Sequence, residues 1–343
     1  MEQRTPVGRA RVAAQLALYV ALAAHVGAWY LGGRREVGTV SAASVFYLLQ
    51  VGLVNAGALL VGAALLTTPL LGNAFCGWAC HFGALQDFAG WALRKVGLRP
   101  LGWHVPARIR ALLFAKLFVL NTVAAWFALG KLPRLFVNCG APEPLFALGT
   151  WLTVALDVGV LAILSVWLFG PRAFCRAACP VILVARLGNL AAPLRMKLRG
   201  NCIDCGACDR ACPMGNPVSR MLKEGGSVAA LDCVRCGRCL DACPTGAIGF
   251  GTARGGSFAA PAPRRGGAWA ALAGGALGIV LHELLFRMRS DGSLAGAWVA
   301  HLPNWELFYA FLGLALGVAI HRLLRGGKPC TLSPSRSRSP RAV

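Results

Sequence analysis

Eight cysteines between residues 202 and 243 form two runs with the same spacing, C-x2-C-x2-C-x3-C-P. This spacing is typical of bacterial ferredoxins, in which three cysteines of one run and the fourth of the other ligate one iron–sulfur cluster. The spacing therefore predicts single-electron chemistry on two [4Fe–4S] clusters. The first predicted ligand set is Cys202, Cys205, Cys208 and Cys243, and the second is Cys233, Cys236, Cys239 and Cys212.

Two other uses of these eight cysteines agree less well with the sequence. Four disulfides would need an oxidising compartment, but basic segments flank the two runs and indicate the cytoplasmic side of a membrane, where thiols stay reduced. Paired zinc sites usually use two C-x2-C knuckles for each metal, which is not the spacing found here.

A second set of cysteines lies in an internal repeat with an offset of 99 residues. Residues 74–80 read Ala-Phe-Cys-Gly-Trp-Ala-Cys, and residues 173–179 read Ala-Phe-Cys-Arg-Ala-Ala-Cys. On a helix, the two thiols of each C-x3-C pair would share one face. The hypothesis is a further redox or soft-metal centre made by Cys76, Cys80, Cys175 and Cys179, with His81 as an extra ligand or proton carrier. Simple packing of small buried cysteines is the alternative, with His81 as a polar residue of the headgroup region.

The chain is 57% hydrophobic and 14% charged, a ratio unlike that of soluble globular proteins. Six apolar stretches are long enough to cross ~30 Å of hydrocarbon. They are 11–32, 45–71, 109–130, 150–170, 268–286 and 305–324. The predicted fold class is an α-helical integral membrane protein of about six transmembrane helices, with an internal parallel repeat and an inserted small α+β ferredoxin domain of the bacterial 2[4Fe–4S] type.

The net charge of +22 would suggest nucleic-acid binding in a soluble protein, but its distribution favours a membrane and no nucleic acid. Of the 35 Lys and Arg residues, 28 lie on one predicted side. The opposite loops hold six, which are Arg34, Arg35, Lys131, Arg134, Arg287 and Arg289. The positive-inside rule then places both termini and the ferredoxin domain in the cytoplasm, in a multi-pass protein of the bacterial inner membrane.

The predicted organisation has six parts. They are a first membrane hairpin repeat ending in C-x3-C (1–100), a second repeat ending in C-x3-C-P (101–199), the 2[4Fe–4S] ferredoxin domain (200–250), a linker (251–267), a C-terminal transmembrane hairpin (268–325) and a disordered basic tail (326–343).

Ionisable residues inside predicted spans are functional candidates because their burial in lipid is costly. The candidates for a site within these spans are His25, Asp157, His282 and Glu283. One hypothesis is a quinol site in which histidine and carboxylate accept protons. A second is a haem b held by His25 and His282. Hydrogen bonding between helices, or to the nearby outer surface, is the alternative without a ligand.

The order of these features resembles the membrane-bound polyferredoxins of the NapH, NosR and CcoG type, and NapH-like proteins most of all. The resemblance covers about residues 40–250 and rests on the two C-x3-C segments and the two ferredoxin runs. It implies quinol-linked electron transfer, or delivery of electrons to a metal or a partner enzyme. His81 departs from the pattern, since proline is expected after the first C-x3-C. Residues 268–324 look like an addition to the NapH core.

The expected function is a membrane-anchored iron–sulfur protein, a quinol-linked subunit that passes electrons through two [4Fe–4S] clusters to or from a partner oxidoreductase. The expected partners are membrane lipid, the quinone pool and a redox protein. A copper reductase or maturation factor that uses the C-x3-C pairs is the main alternative, and a redox-sensing regulator is a third.

Overall fold

The computed structural model describes residues 5–32, 37–38, 40, 44–98, 100, 112, 115–130, 132–140, 157–177 and 179–252, with a few residues between 273 and 320. The predicted C-terminal hairpin and the predicted linker lie almost wholly outside the described residues, and the predicted tail lies wholly outside them.

Helix α1 (Pro6–Leu31) is a single apolar helix. It begins where Thr5 Oγ1 accepts a hydrogen bond from the Gly8 N–H (3.2 Å) and where Pro6 occupies the first turn. Within the described part of the chain, residues 6–29 of this helix are the one segment long and apolar enough to cross a membrane. The other five predicted spans are not confirmed and stay predictions.

The predicted span 45–71 contains two helices rather than one. Helix α2 (Ser44–Val51) ends before Gly52, and helix α3 (Ala56–Leu71) begins after Asn55. Gly52 has a φ of 78°, and a Cβ there would overlap the carbonyl of Arg134. Asn55 Oδ1 accepts a hydrogen bond from the Ala58 N–H (2.9 Å) and so caps α3. Between the two helices, strand β1 (Leu53–Val54) pairs in parallel with β2 (Phe136–Val137).

The remaining helices of the two repeats are short. They are α4 (Ala74–Trp78), α5 (His81–Lys95), α6 (Asn121–Leu129, after a π-helical stretch at Ala115–Leu120), α7 (Ser165–Phe169, after a π-helical stretch at Asp157–Leu164), α8 (Ala173–Ala177) and α9 (Pro180–Ala191). Helices α4 and α8 begin 99 residues apart, as do α5 and α9.

The two repeats pack reciprocally. Helix α9 of the second repeat lies on α3 of the first, where Gly188 allows close approach to Thr68. Helix α5 of the first repeat lies on α7 of the second and on the π-helical stretch before it. Four buried residues form that second contact: Ala89, Leu93, Ala162 and Val166. The ends of α3 and α7, which precede the two C-x3-C segments, are thereby held in equivalent positions.

The ferredoxin unit is closed by two antiparallel strands, β3 (Leu194–Leu198) and β4 (Ile248–Thr252), paired from Leu194↔Thr252 to Leu198↔Ile248. Strand β3 begins before the predicted boundary at residue 200. Three helices lie between the strands: α10 (Ala207–Ala211), α11 (Val218–Gly225) and α12 (Arg238–Asp241). The core beneath them contains Met196, Cys208, Val218, Met221, Leu222, Val228, Ala230, Leu240 and Ile248.

Candidate functional site

Two cavities lie in the ferredoxin unit, and four cysteines line each one. The inner cavity is lined by Cys212, Cys233, Cys236 and Cys239. The outer cavity is lined by Cys202, Cys205, Cys208 and Cys243. The fourth cysteine of each run therefore lies with the first three of the other run. The structure brings together the same two sets that the spacing groups, and their role as ligands stays a prediction.

Each cavity is formed by a tight loop that precedes a short helix. Gly206 caps α10 with a φ of 62°, and Gly237 caps α12 with a φ of 74°. Positive φ is costly for residues other than glycine, so glycine at these positions lets the chain turn sharply between the second and third cysteine of each run. The cysteine pattern thus produces two copies of one local fold.

The donor set of these cavities fits an iron–sulfur cluster. Each cavity is lined by four thiols, which is the number of protein ligands that a [4Fe–4S] cluster takes. Burial, with the charge of Cys236, raises the pKa of Cys212 to about 12. Such a thiol ionises readily only beside positive charge. A bound cluster would supply that charge and would take up and release single electrons.

The two C-x3-C pairs sit at helix junctions. Cys76 lies in α4 and Cys175 in α8, whereas Cys80 and Cys179 are extended residues that precede α5 and α9. The prediction that each pair shares one face of a continuous helix is therefore wrong. In the second copy the reason is Pro180, because the residue before a proline disfavours helical geometry. The first copy has the same break without the proline.

The four C-x3-C thiols lie near one another in a buried region. Gln86 Nε2 donates a hydrogen bond to the Sγ of Cys175 (3.3 Å). Burial raises the pKa of Cys175 to about 12. Burial, followed by the charges of the other three cysteines, also raises the pKa of Cys179. Such thiols remain protonated at neutral pH unless a cation or a redox reaction removes the proton.

The C-x3-C pairs also contact the inner cavity. Two cavity cysteines and two C-x3-C cysteines pack in one apolar cluster, whose members are Phe75, Cys76, Cys179, Cys212, Cys236, Ile182, Met214 and Val234. The sequence predicts these two groups of thiols on the same side of the membrane, and the structure brings members of both into one cluster.

The first C-x3-C segment is fitted to the loop of the inner cavity. A Cβ on Gly77 would overlap the carbonyl oxygen of Val234, so only glycine permits this approach. The indole N–H of Trp78 donates to the carbonyl of Arg235 (2.9 Å). Arg11 of α1 donates to the carbonyl of Cys236 (2.6 Å). The inner cavity is thus held against the long apolar helix and the first repeat.

A buried carboxylate, Asp87 of α5, joins three parts of the molecule. Arg172 binds it with two hydrogen bonds (2.8 and 3.2 Å), Arg238 of α12 forms an ion pair with it (2.8 Å), and Gln15 of α1 donates to it (3.2 Å). Burial would raise the pKa of Asp87, but the two arginines outweigh it and lower that pKa to about 2. Sequence reasoning missed this residue, although Asp87 is the only acid between residues 72 and 110.

The other predicted site residues are only partly within the described chain. His81 begins α5, its carbonyl accepts from the Tyr19 hydroxyl (2.6 Å), and burial lowers its pKa. His25 Nε2 lies 3.0 Å from the carbonyl oxygen of Gly38. The side chain of Asp157 and the residues His282 and Glu283 lie outside the described part. The proposed quinol or haem site stays a prediction.

Two family models of iron–sulfur proteins match the sequence of this chain. One, described as a 4Fe-4S binding domain, matches twice, at residues 55–99 and 151–199. Another, a 4Fe-4S dicluster domain, matches residues 194–244. The methylamine utilization ferredoxin-type protein MauN of Methylorubrum extorquens is 32% identical over 221 residues, which are 60% of this chain and 73% of that protein. The first model therefore matches each C-x3-C repeat, and the second covers both cysteine runs.

Two further relatives extend the comparison. The ferredoxin-type protein NapH of Haemophilus influenzae is 28% identical over 163 residues, 45% of this chain and 53% of NapH. The regulatory protein NosR of Pseudomonas aeruginosa is 34% identical over 152 residues, 40% of this chain and 20% of NosR. The chain belongs to the NapH- and NosR-like polyferredoxins. No solved structure matches it.

Membership of these polyferredoxins confirms the expected family and supports iron–sulfur electron transfer as the chemistry of the ferredoxin unit. The polyferredoxin chain spans about half the length of NapH and a fifth of NosR. The activity, donors and acceptors of those whole proteins are therefore not established for it.

Proposed function

We propose that this polyferredoxin is anchored in the bacterial inner membrane and passes single electrons between quinol and a redox partner in the cytoplasm. Two [4Fe–4S] clusters, one in each cavity, would carry the electrons. The observation that carries the proposal is the one apolar cluster that contains the C-x3-C cysteines Cys76 and Cys179 together with the inner-cavity cysteines Cys212 and Cys236.

The arrangement of the described residues supports one route for electrons, from the membrane through the inner cavity to the outer cavity. The inner cavity lies against α1 and the first C-x3-C segment, through Arg11, Gly77 and Trp78. The outer cavity lies on the other side of the same small unit, and its residues Cys202 and Cys205 are exposed. A partner protein that docks from solution would therefore reach the outer cluster first. Electrons from the membrane would reach the inner cluster first.

The test is reduction of the clusters by a quinol. The full-length protein is purified anaerobically in detergent, its iron content is measured, and EPR is recorded after addition of a reduced quinone analogue. About eight iron atoms per chain and quinol-dependent EPR signals are expected. Clusters that assemble but are not reduced by quinol would overturn the quinol linkage.

A double variant separates a relay from simple packing. Cys76→Ser with Cys175→Ser should abolish quinol-dependent reduction while both clusters still assemble, because serine is suited neither to soft metals nor to dithiol exchange. The matched control is Cys139→Ser, which changes a cysteine away from both cavities. Full quinol-dependent reduction in the double variant would show that these thiols only pack.

A second candidate function, reduction or maturation of copper, rests on the four neighbouring C-x3-C thiols. Among the described residues these thiols do not already converge on one ion, so binding would have to draw them together. Thiolates select copper in its reduced form. If the C-x3-C pairs handle copper, the anaerobic protein should retain it in stoichiometric amount, and the double variant should lose it. Copper that is retained equally by the double variant would exclude this use of the pairs.

The proposed orientation, with both termini and the ferredoxin unit in the cytoplasm, rests on the distribution of Lys and Arg. It is tested by labelling of spheroplasts with a membrane-impermeant maleimide, followed by mass spectrometry of the labelled peptides. Cys139, in a loop proposed to be outside, should be labelled. A cysteine introduced by Gly225→Cys, on the ferredoxin surface, should not. Efficient labelling of that introduced cysteine would reverse the orientation.

A further inference from the structure

The two cysteine runs that form the inner and outer cavities have similar backbone conformations, so their residues can be compared position by position. The two runs are related by a shift of 31 residues. Backbone φ is positive at the same places in both, 57° at Asp204 and 52° at Arg235, and 72° at Gly215 and 62° at Gly246. Side chains at matched positions therefore account for part of the difference between the cavities.

The first difference is an amide. Asn216 lines the inner cavity, and its matched residue in the outer cavity is Ala247. Asn216 is 3% exposed, and its Nδ2 has no hydrogen-bond partner among the described residues. A buried donor without an acceptor destabilises a fold, and such groups are rare in native proteins. A sulfur of the cluster in this cavity would be its acceptor.

The second difference is a charge. Arg235 lines the inner cavity, is 2% exposed and donates from Nη1 to the carbonyl of Cys233 (3.3 Å). Its Nε has no partner among the described residues. The matched residue of the first run, Asp204, is exposed and pairs with Lys223. A buried cation thus lies beside the inner cavity, where the first run has a solvated carboxylate.

We propose that Asn216 and Arg235 set the reduction potential of the inner cluster, Asn216 through an N–H···S hydrogen bond and Arg235 through its charge. Reduction adds one electron, and so one negative charge, without changing any covalent bond. A donor that points at sulfur and a nearby cation both stabilise the reduced form more than the oxidised form, because each interacts more strongly with the added charge. Each residue therefore raises the potential of the inner cluster and leaves that of the outer cluster nearly unchanged.

This inference rests on the proposed function only in requiring a cluster in each cavity. It needs no quinol, no copper and no particular orientation in the membrane, so a failure of quinol reduction leaves its test intact. Its consequence is that an electron arriving from the C-x3-C side is held on the inner cluster more firmly than cysteine ligation alone would hold it.

The test is an anaerobic redox titration of the full-length protein in detergent, followed by EPR, with dithionite and soluble mediators. The inner signal is assigned as the one that Cys212→Ser removes. In Asn216→Ala, which copies the outer cavity, the ratio of reduced to oxidised inner cluster at a fixed potential should fall about tenfold, equivalent to about 59 mV for one electron. The outer signal should not shift. An unchanged inner potential in this variant would overturn the role of Asn216.

For Arg235, Arg235→Lys keeps the charge and Arg235→Gln removes it, so the Gln variant should lower the inner potential more than the Lys variant. Equal inner potentials in the Lys and Gln variants would overturn the role of the charge.

If Asn216→Ala assembles no inner cluster, the hydrogen bond of Asn216 is tested on the wild-type protein instead. Asparagine labelled with ¹⁵N at the side-chain amide should show a nitrogen coupling to the reduced inner cluster in pulsed EPR, and its absence would overturn the hydrogen bond.

Discussion

Val234 and Ile203 occupy matched positions in the two cysteine runs, yet Val234 is 2% exposed and Ile203 is 61% exposed. The two residues are similar in shape and polarity, so residue type does not explain the difference. Val234 is buried because the inner loop packs against Gly77 of the first C-x3-C segment. Ile203 has no comparable cover among the described residues. The cysteine spacing thus fixes two equal loops, and the packing of the rest of the chain makes one inner and the other outer.

The two cysteine loops have the same spacing but are held in place by different kinds of contact. The inner loop is fastened by bonds to its main-chain carbonyls and by the ion pair of Arg238 with Asp87. The outer loop has surface ion pairs such as that of Lys223 with Asp204. Surface pairs contribute little to stability, whereas breaking one partner out of a buried pair is costly. Changes at the inner loop should therefore have large effects on structure, and matched changes at the outer loop should have small ones.

The largest expected effect comes from replacing the fourth cysteine of either run with serine. Cys212→Ser should remove the inner cluster and leave the outer one, so that iron falls from about eight to about four atoms per chain. Its matched partner, Cys243→Ser, should do the reverse. Iron analysis and EPR of both variants make the measurement. If Cys212→Ser removed only the cluster bound by Cys202, Cys205 and Cys208, the crossed arrangement of the two runs would be wrong.

Asp87→Asn should have the next largest effect, because it leaves Arg172 and Arg238 without their carboxylate. Removal of one partner from a buried ion pair costs about 3–5 kcal/mol. The matched control is Glu224→Gln, which breaks the exposed pair with Arg220 and should cost about 0.5 kcal/mol or less. Thermal unfolding of the protein in detergent measures both. Equal losses of stability in the two variants would show that the buried ion pairs of Asp87 contribute no more than an exposed pair.

The pH dependence of the Asp87 contribution follows from its lowered pKa. A carboxylate whose folded pKa is about 2, below its unfolded value, contributes stability that is complete above the unfolded pKa and is lost as pH falls through about 2. The stability difference between the wild type and Asp87→Asn should therefore be the same at pH 6 and pH 8. A difference that changes across this range would mean that another group titrates with Asp87.

Gly77→Ala tests the contact that makes one loop inner. The added methyl group would overlap the carbonyl oxygen of Val234, which is backbone and cannot rotate away. Overpacking of this kind costs about 1–3 kcal/mol. The control is Gly225→Ala at the end of α11, where a Cβ meets nothing within 4 Å and the change should be near neutral. Protection of the inner loop from proteolysis should fall in the first variant and not in the second.

The sequence predicted the cysteine grouping and the first apolar helix because both depend on local patterns. It could not predict the break at Gly52, since an apolar run of this length has the same composition whether or not another segment approaches its backbone. In the second C-x3-C pair, Pro180 is a local signal of the helix break after Cys179, whereas the first pair has the same break without a proline. Asp87 carried a signal, as a single acid in a basic segment, but its partners Arg172 and Arg238 are distant in sequence and only the fold brings them together.

The smallest effect should come from Thr245→Val at the outer cavity, and it sharpens the contrast with Asn216. The Thr245 hydroxyl lies 3.5 Å from the Cys243 sulfur and donates to the carbonyl of Asn201 (3.3 Å), but the residue is exposed. Water can replace a lost hydroxyl at an exposed sulfur almost without loss of hydrogen-bond energy, whereas it cannot reach the buried position of Asn216. In the same redox titration, Thr245→Val should change the reduced-to-oxidised ratio of the outer cluster by about twofold or less, against about tenfold for Asn216→Ala at the inner cluster. A larger shift from Thr245→Val than from Asn216→Ala would mean that burial does not govern how strongly side-chain donors act on these two clusters.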